Sequence, residues 1–214
     1  MNNICILERS LKMGLFDNLK RQAMSQLNSS SRQAMNSVAD AAKNSIRSMG
    51  NKKESFTFNS IPASLGEFTS LPYAGLSTPF ETAAMTVIAL CVYPYNAELS
   101  FEMLNFLRGP RPLGNQEKSF IKDRFYEVDY VPRSYFDGSA PENDYNPPEP
   151  YTITVFDGPY SYQNEGYAKL FIRSGGADNP REVLMRMTKD GKWYLWDQFL
   201  LVGIRQPESA DPWA

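Results

Sequence analysis

The chain has 214 residues, with 22 basic and 24 acidic side chains and a formal net charge of −2. An apolar content of 42% and an aromatic content of 13% are typical of a folded protein and exclude wholesale disorder. Histidine is absent and only Cys5 and Cys91 are cysteines, which excludes histidine-based triads, histidine metal ligands and four-cysteine zinc sites.

The first 53 residues differ in composition from the rest of the chain. They hold nine basic and three acidic residues, a net charge of +6, which leaves −8 for residues 54–214. Every proline, tyrosine and tryptophan lies after residue 53. Met13 begins a stretch that is typical of a natural protein start, so residues 1–12 are interpreted as a possible upstream extension, with the choice between Met1 and Met13 left open.

An eleven-residue repeat follows Met13. Arg21 to Leu27 recurs as Arg32 to Val38, and a weaker third copy begins at Lys43. Eleven residues over three turns is about 3.67 per turn, so the apolar positions stay on one side of a helix. The pattern predicts a basic amphipathic helix over residues 13–50, whose apolar stripe consists of Phe16, Met24, Leu27, Met35, Val38, Ile46 and Met49.

Three interpretations of this stripe remain open. The helix can pack on another protein chain as a coiled coil or helical hairpin, lie on a membrane surface, or stay disordered until it binds. Its basic residues are widely spaced and lack interleaved aromatic residues, so the pattern argues against nucleic-acid binding. We therefore expect a membrane surface or a protein as the partner of residues 13–50, with oligomeric state open.

Residues 51–70 are interpreted as a linker, and residues 71–214 as an α+β domain. Thr78-Pro79-Phe80-Glu81 is a capping box with proline at the first helical position, which predicts a core helix onwards from there. Two further helices are predicted at about 98–107 and 116–126. The remainder indicates antiparallel strands at 151–156, 167–172, 182–188 and 192–201, the last two joined by a hairpin at Asp190-Gly191.

About three helices packed on a curved antiparallel sheet resemble NTF2-like or cystatin-like folds in element order. Residues 71–214 also resemble a family of uncharacterised bacterial proteins, a domain of unknown function. The resemblance rests on Leu-Pro-Tyr-Ala-Gly-Leu at 71–76, Gly-Pro-Arg-Pro-Leu at 109–113, Tyr-Val-Pro-Arg-Ser-Tyr-Phe at 130–136, Glu-Pro-Tyr-Thr-Ile-Thr-Val-Phe at 149–156, the run from Gly166 to Asp178, and Asp-Pro-Trp at 211–213. It implies a bacterial, intracellular domain and transfers no catalytic residue.

The sequence contains no catalytic motif, and we expect no catalytic residue, metal or cofactor. Gly175-Gly176 lacks the lysine of a P-loop and is interpreted as an inter-strand loop. If the sheet is concave, strand residues can line a pocket in which Arg173 holds an anion beside Tyr160, Tyr162 and Tyr167. The alternative is that these tyrosines fill the core and Arg173 pairs with a carboxylate.

These observations favour a non-enzymatic binding or adaptor protein. Its C-terminal domain would recognise a ligand or partner, and its basic N-terminal helix would attach it to a membrane surface or a helical partner. The alternative is an NTF2-like pocket that binds a small ligand or has weak enzymatic activity. No run of apolar residues is long enough to span a bilayer, so we expect a cytoplasmic protein, peripheral at the inner membrane face if the helix binds lipid.

Overall fold

The computed structural model describes residues 52–126 and 128–213. The segment 1–12, the predicted helix 13–50 with its apolar stripe, and Cys5 lie outside the described residues. Within the described part, no helix is long and apolar enough to cross a membrane.

The described residues form four α-helices and a five-stranded antiparallel sheet, which confirms the predicted α+β class. The comparison with NTF2-like or cystatin-like folds is not tested by this architecture and stays a prediction. The strands lie in the sheet in their chain order. The helices are α1 (Leu65–Thr69), α2 (Pro79–Val92), α3 (Ala97–Arg108) and α4 (Asn115–Arg124), and the strands are β1 (Lys53–Phe58), β2 (Tyr151–Phe156), β3 (Tyr167–Ile172), β4 (Arg181–Met187) and β5 (Trp193–Gln198).

Helix α2 is the central helix of the domain, and it begins where the sequence predicts. The Thr78 hydroxyl accepts from the Glu81 N–H at 3.2 Å, and the Glu81 carboxylate accepts from the Thr78 N–H at 3.0 Å. Every residue of α2 except Glu81 is buried. The buried Thr82 hydroxyl donates to the Trp193 carbonyl at 2.6 Å, which joins α2 to the sheet and satisfies a polar group in the core.

The described part of the stretch predicted as a linker, residues 51–70, contains an edge strand and a short helix instead. Strand β1 pairs along its whole length with β2, almost a hundred residues later in the chain. Phe56 and Phe58 from β1, and Phe68 from α1, are at most 4% exposed and belong to the hydrophobic core. Because these three aromatic side chains are part of the hydrophobic core, the folded unit begins before residue 71.

The sheet has one buried face and one open face. Alternate strand residues point towards the helices and are almost fully buried, namely Ile153, Val155, Ala168, Leu170, Ile172, Val183, Met185 and Leu195. This alternation is the pattern expected of an antiparallel sheet with helices on one side. We call the opposite surface the outer face, and its side chains are half-buried or exposed.

Candidate anion-binding site

Aromatic side chains from three strands lie on the outer face. Phe156 of β2 stacks on Phe171 of β3 with ring centroids 5.8 Å apart. Tyr167, at the other end of β3, meets Trp196 of β5 edge to face at 5.8 Å. Trp196 reaches this face at a register shift between β4 and β5, where Met185 pairs with Leu195 and Leu184 pairs with Asp197.

Guanidinium groups lie over two of these rings. Arg186 of β4 is 4.6 Å from the centroid of Trp196 and 5.3 Å from that of Tyr167. Arg111, in the loop between α3 and α4, is 4.4 Å from the centroid of Trp196. These are cation–π distances, so the indole of Trp196 contacts two guanidinium groups at once.

A cavity of about 570 Å³ opens beside Trp196, and we call it the Trp196 cleft. Its volume is within the range of small-molecule sites. Four of the residues that line it are cationic and none is acidic; the lining consists of Arg108, Pro110, Arg111, Arg186, Met187, Thr188, Lys189, Tyr194, Leu195 and Trp196.

Two of the four cations in the cleft share the carboxylate of Glu117, whose single negative charge offsets only one of them. Arg108 is buried, with a side chain only 3% exposed, and donates to the Glu117 carboxylate at 2.5 Å. Arg111 reaches the same carboxylate at 3.3 Å and donates to the Trp196 carbonyl at 3.2 Å. Burial lowers the pKa of Arg108, and the charge of Glu117 opposes that shift.

The other two cations, Arg186 and Lys189, are exposed and take part in none of the ion pairs of the described residues. The carboxylate of Asp190, the residue after Lys189, accepts from the hydroxyl of Thr188, which lines the cleft, so it offsets part of the positive charge. The cleft therefore has a net positive charge, in a domain whose overall charge is negative.

The hairpin between β4 and β5 fixes the position of these two cations. Thr188 N–H donates to the Lys192 carbonyl at 2.9 Å, and Gly191 takes a positive φ of 81°. This is the Asp-Gly hairpin that the sequence predicts, and its geometry places Arg186 on the outer face and Lys189 at the tip.

Gly109 allows the loop that carries Arg111 to approach the sheet. It ends α3 with a positive φ of 56°, and a Cβ at this position would lie 2.4 Å from the Tyr194 ring. A larger residue would push the loop off β5, so glycine is required both by conformation and by space.

Arg173 lies at the opposite end of the outer face. It is exposed, 5.6 Å from the centroid of Phe156, and it lines a second cavity of about 330 Å³. Unlike the Trp196 cleft, this cavity has carboxylates in its lining, Asp137 and Asp157, beside Lys52 and Lys53. Between the two cavities, Lys169 pairs with Glu182 at 3.7 Å, so the middle of the outer face is balanced in charge.

The three tyrosines predicted beside Arg173 lie in different surroundings. Tyr167 is at the far end of β3, about 20 Å from Arg173 by the rise of a strand, and belongs to the Trp196 group. Tyr160 is 70% exposed in the loop after β2. Tyr162 is half-buried against the core, and burial raises its pKa to about 12. Only Tyr167 of the predicted set therefore adjoins the Trp196 cleft.

Arg111, Arg186, Lys189 and Trp196 were not singled out as site residues by the sequence. The predicted hairpin, together with the alternation of side chains along β4 and β5, indicated part of this site. A hairpin at that position pairs Arg186 with residues near Trp196. The position of Arg111 carried no local signal, since it depends on how the loop after α3 folds over β5.

The acidic side chains in the described part of the chain form no metal site. No group of three or more cysteine and carboxylate side chains there is placed to hold a metal ion. Asp157 is 5% exposed and burial raises its pKa, but its carboxylate accepts from the Lys52 N–H at 2.8 Å. It thereby closes the end of the β1–β2 pair, which is a structural role.

A protein-family model described as a domain of unknown function (DUF6935) matches residues 60–208. Neither the curated proteins nor the solved structures contain a significant match to the chain.

Proposed function

We propose a function from the geometry alone, because the chain belongs to the family described as domain of unknown function DUF6935 and that description assigns no activity. The domain is a non-enzymatic binding module that takes a small anionic ligand in the Trp196 cleft. The observation that carries the proposal is the lining of this cleft, which holds four cations and no carboxylate, and in which Arg186 and Lys189 take part in no ion pair of the described residues.

Electrostatics supports this assignment. Opposite charges attract more strongly beside low-dielectric protein walls than in bulk water, and the walls here are Trp196, Tyr194, Pro110 and Leu195. Arginine adds directional donors that suit carboxylate or phosphate oxygens. The rest of the domain is acidic, so an anion finds this cleft by charge as well as by shape.

Packing supports binding on the outer face over the alternative of an NTF2-like pocket with weak enzymatic activity. Such a pocket would lie between the sheet and the helices. In the described domain, that space is filled by buried side chains such as Met85, Ile88, Leu170 and Met185.

Arg173 is a second candidate anion site. It has no carboxylate partner among the ion pairs of the described residues, and Lys53 lines the same cavity. Because Asp137 and Asp157 also line it, we expect a weaker affinity there than in the Trp196 cleft.

Titration with inorganic tripolyphosphate at low salt tests the proposal. Calorimetry should show binding that weakens as salt rises, because the attraction is screened. Arg186→Gln combined with Lys189→Gln should abolish the tighter site, whereas Arg173→Gln should affect only a weaker one. Lys192→Gln is the matched control, since it removes one charge from the same hairpin outside the cleft. Equal binding by the double variant and the control would contradict the assignment.

The adaptor part of the proposal concerns residues 13–50. Their charge and their eleven-residue repeat support attachment to an anionic membrane surface or to a helical partner. Circular dichroism of the 13–50 peptide distinguishes the two. Helix gained only on anionic vesicles supports the membrane, while concentration-dependent helix in buffer, with no gain on lipid, supports a coiled coil. Val38→Asp should abolish lipid binding in the first case.

A further inference from the structure

We propose that the anion taken by the Trp196 cleft is a nucleotide, with its base against Trp196 and its phosphate on Arg186 and Lys189. This inference rests on the proposed function and specifies the ligand class. It follows from three properties of the cleft, namely its size, its aromatic wall and the number of its uncompensated charges.

Size argues against an inorganic anion as the natural ligand. A cavity of about 570 Å³ is much larger than phosphate, and part of its wall is apolar, including Pro110, Met187 and Leu195. An ion alone would leave this apolar wall in contact with water. A ligand with an organic body covers the wall and gains from its burial.

The aromatic wall argues for a flat body. The Arg186 guanidinium, itself planar, lies over the Trp196 ring at 4.6 Å, where a stacked ring of a ligand would also fit. Arg186 is exposed and without an ion pair, so it can leave the indole and turn to an anion. Arg111, on the same indole, is held by Glu117 and stays in place.

The number of free charges argues for a phosphate monoester rather than a carboxylate. The four cations of the lining, set against the carboxylates of Glu117 and Asp190, leave two positive charges, which match a dianion. Lysine contributes a mobile point charge and arginine a planar donor group, a combination that suits phosphate oxygens. A planar body with a dianionic group attached is the description of a nucleoside monophosphate.

The experiment uses the full chain with AMP, adenosine, inorganic phosphate and tripolyphosphate as probes, each titrated by calorimetry. AMP should bind at least about tenfold more tightly than adenosine or inorganic phosphate, because only AMP engages both parts of the cleft. Arg186→Gln should weaken AMP by about tenfold and should not weaken adenosine, and Lys192→Gln should change neither.

Trp196→Leu should weaken AMP by about tenfold and should weaken tripolyphosphate less, because only AMP has a base that stacks on the indole. Since this substitution removes a half-buried side chain, the NMR resonance of the Trp196 indole N–H in the unsubstituted protein supplies a second measurement. It should shift more with AMP than with inorganic phosphate, because only AMP places a ring on the indole. The inference is overturned if AMP binds no more tightly than inorganic phosphate, or if Arg186→Gln binds AMP normally. Tripolyphosphate binding that depends on Arg186 and Lys189 would then leave the anion-binding function standing, whereas failure of both ligands removes both proposals.

Discussion

The guanidinium of Arg108 and the carboxylate of Glu117 meet at 2.5 Å and tie the last turn of α3 to the first turn of α4. Arg108 also donates to the carbonyls of Arg111 and Trp196, so its donors join the loop, α4 and β5 at one buried point. Glu117 in turn accepts from the Gly114 N–H at 2.7 Å. The pair thus fixes the loop on which Arg111 approaches Trp196.

Replacing Glu117 tests how much this pair stabilises the domain. Glu117→Gln leaves the buried charge of Arg108 without its closest anion, and we expect a loss of about 2 kcal/mol in the free energy of unfolding. Asp178→Asn is the control, because Asp178 pairs with Arg205 at 2.8 Å on the exposed surface and should have no measurable effect. Urea unfolding measures both, and equal stabilities would show that Arg108 is satisfied by carbonyls alone.

The capping box of α2 yields a second prediction. Thr78→Ala removes the hydroxyl that accepts from Glu81 N–H, and we expect a loss of about 1 kcal/mol. Ser64→Ala removes the equivalent cap of α1, where the hydroxyl accepts from Glu67 N–H at 3.1 Å. The second loss should be smaller, because α1 has five residues and buries only Phe68. Thermal unfolding compares the two, and the reverse order would contradict the central role of α2.

The sequence predicted structural features that are set by neighbouring residues and missed those that depend on contacts between residues distant in the chain. The start of α2 at Thr78 and the hairpin at Asp190-Gly191 are set by neighbouring residues, and both are found where predicted. Strand β1 was missed because its partner is β2, almost a hundred residues away, and polar residues interrupt its apolar ones. The Trp196 cleft was missed for the same reason, since Arg111 and Arg186 meet only after folding.

The missed strand leads to a third prediction, about the minimal folding unit. A fragment of residues 52–214 should unfold cooperatively. A fragment of residues 60–214 should not, because it loses Phe56 and Phe58, each worth roughly 1.5–3 kcal/mol in burial, and uncovers Ile153 and Val155. That loss is a large part of the ~5–15 kcal/mol of a typical domain. Calorimetry of both fragments is the measurement, and identical transitions would place β1 outside the folding unit.

Cys91 provides a fourth prediction. Its thiol is 3% exposed in α2, and burial raises its pKa, so the reactive thiolate is disfavoured. With Cys5 replaced by serine, native protein should resist a thiol reagent at pH 8, and urea should restore labelling at the rate of a free thiol. Labelling in the native state, abolished by mild unfolding, would instead indicate an activated cysteine.

Asp157 provides the last prediction, a dependence of stability on pH. Burial raises the pKa of its carboxyl group in the folded domain above the ordinary value. The folded state therefore binds a proton on Asp157 more tightly than the unfolded state does. Protonation of Asp157 thus stabilises the fold, and this stabilisation is lost as pH rises from the ordinary carboxyl pKa to the raised one. Asp157→Asn keeps an oxygen that can accept from the Lys52 N–H and removes the buried charge.

We thus expect the Asp157→Asn variant to be more stable than the unsubstituted domain at pH 7. The difference should shrink as pH falls through the raised pKa towards the ordinary carboxyl value of 3.8, and the carboxyl group is protonated in both states only below that value. Urea unfolding of the two proteins between pH 4 and pH 8 measures this difference directly, and Asp137→Asn, at an exposed site in the same cavity, serves as the control. A stability difference that grows as pH falls would mean that the Asp157 carboxylate is stabilised by Lys52 more than it is penalised by burial.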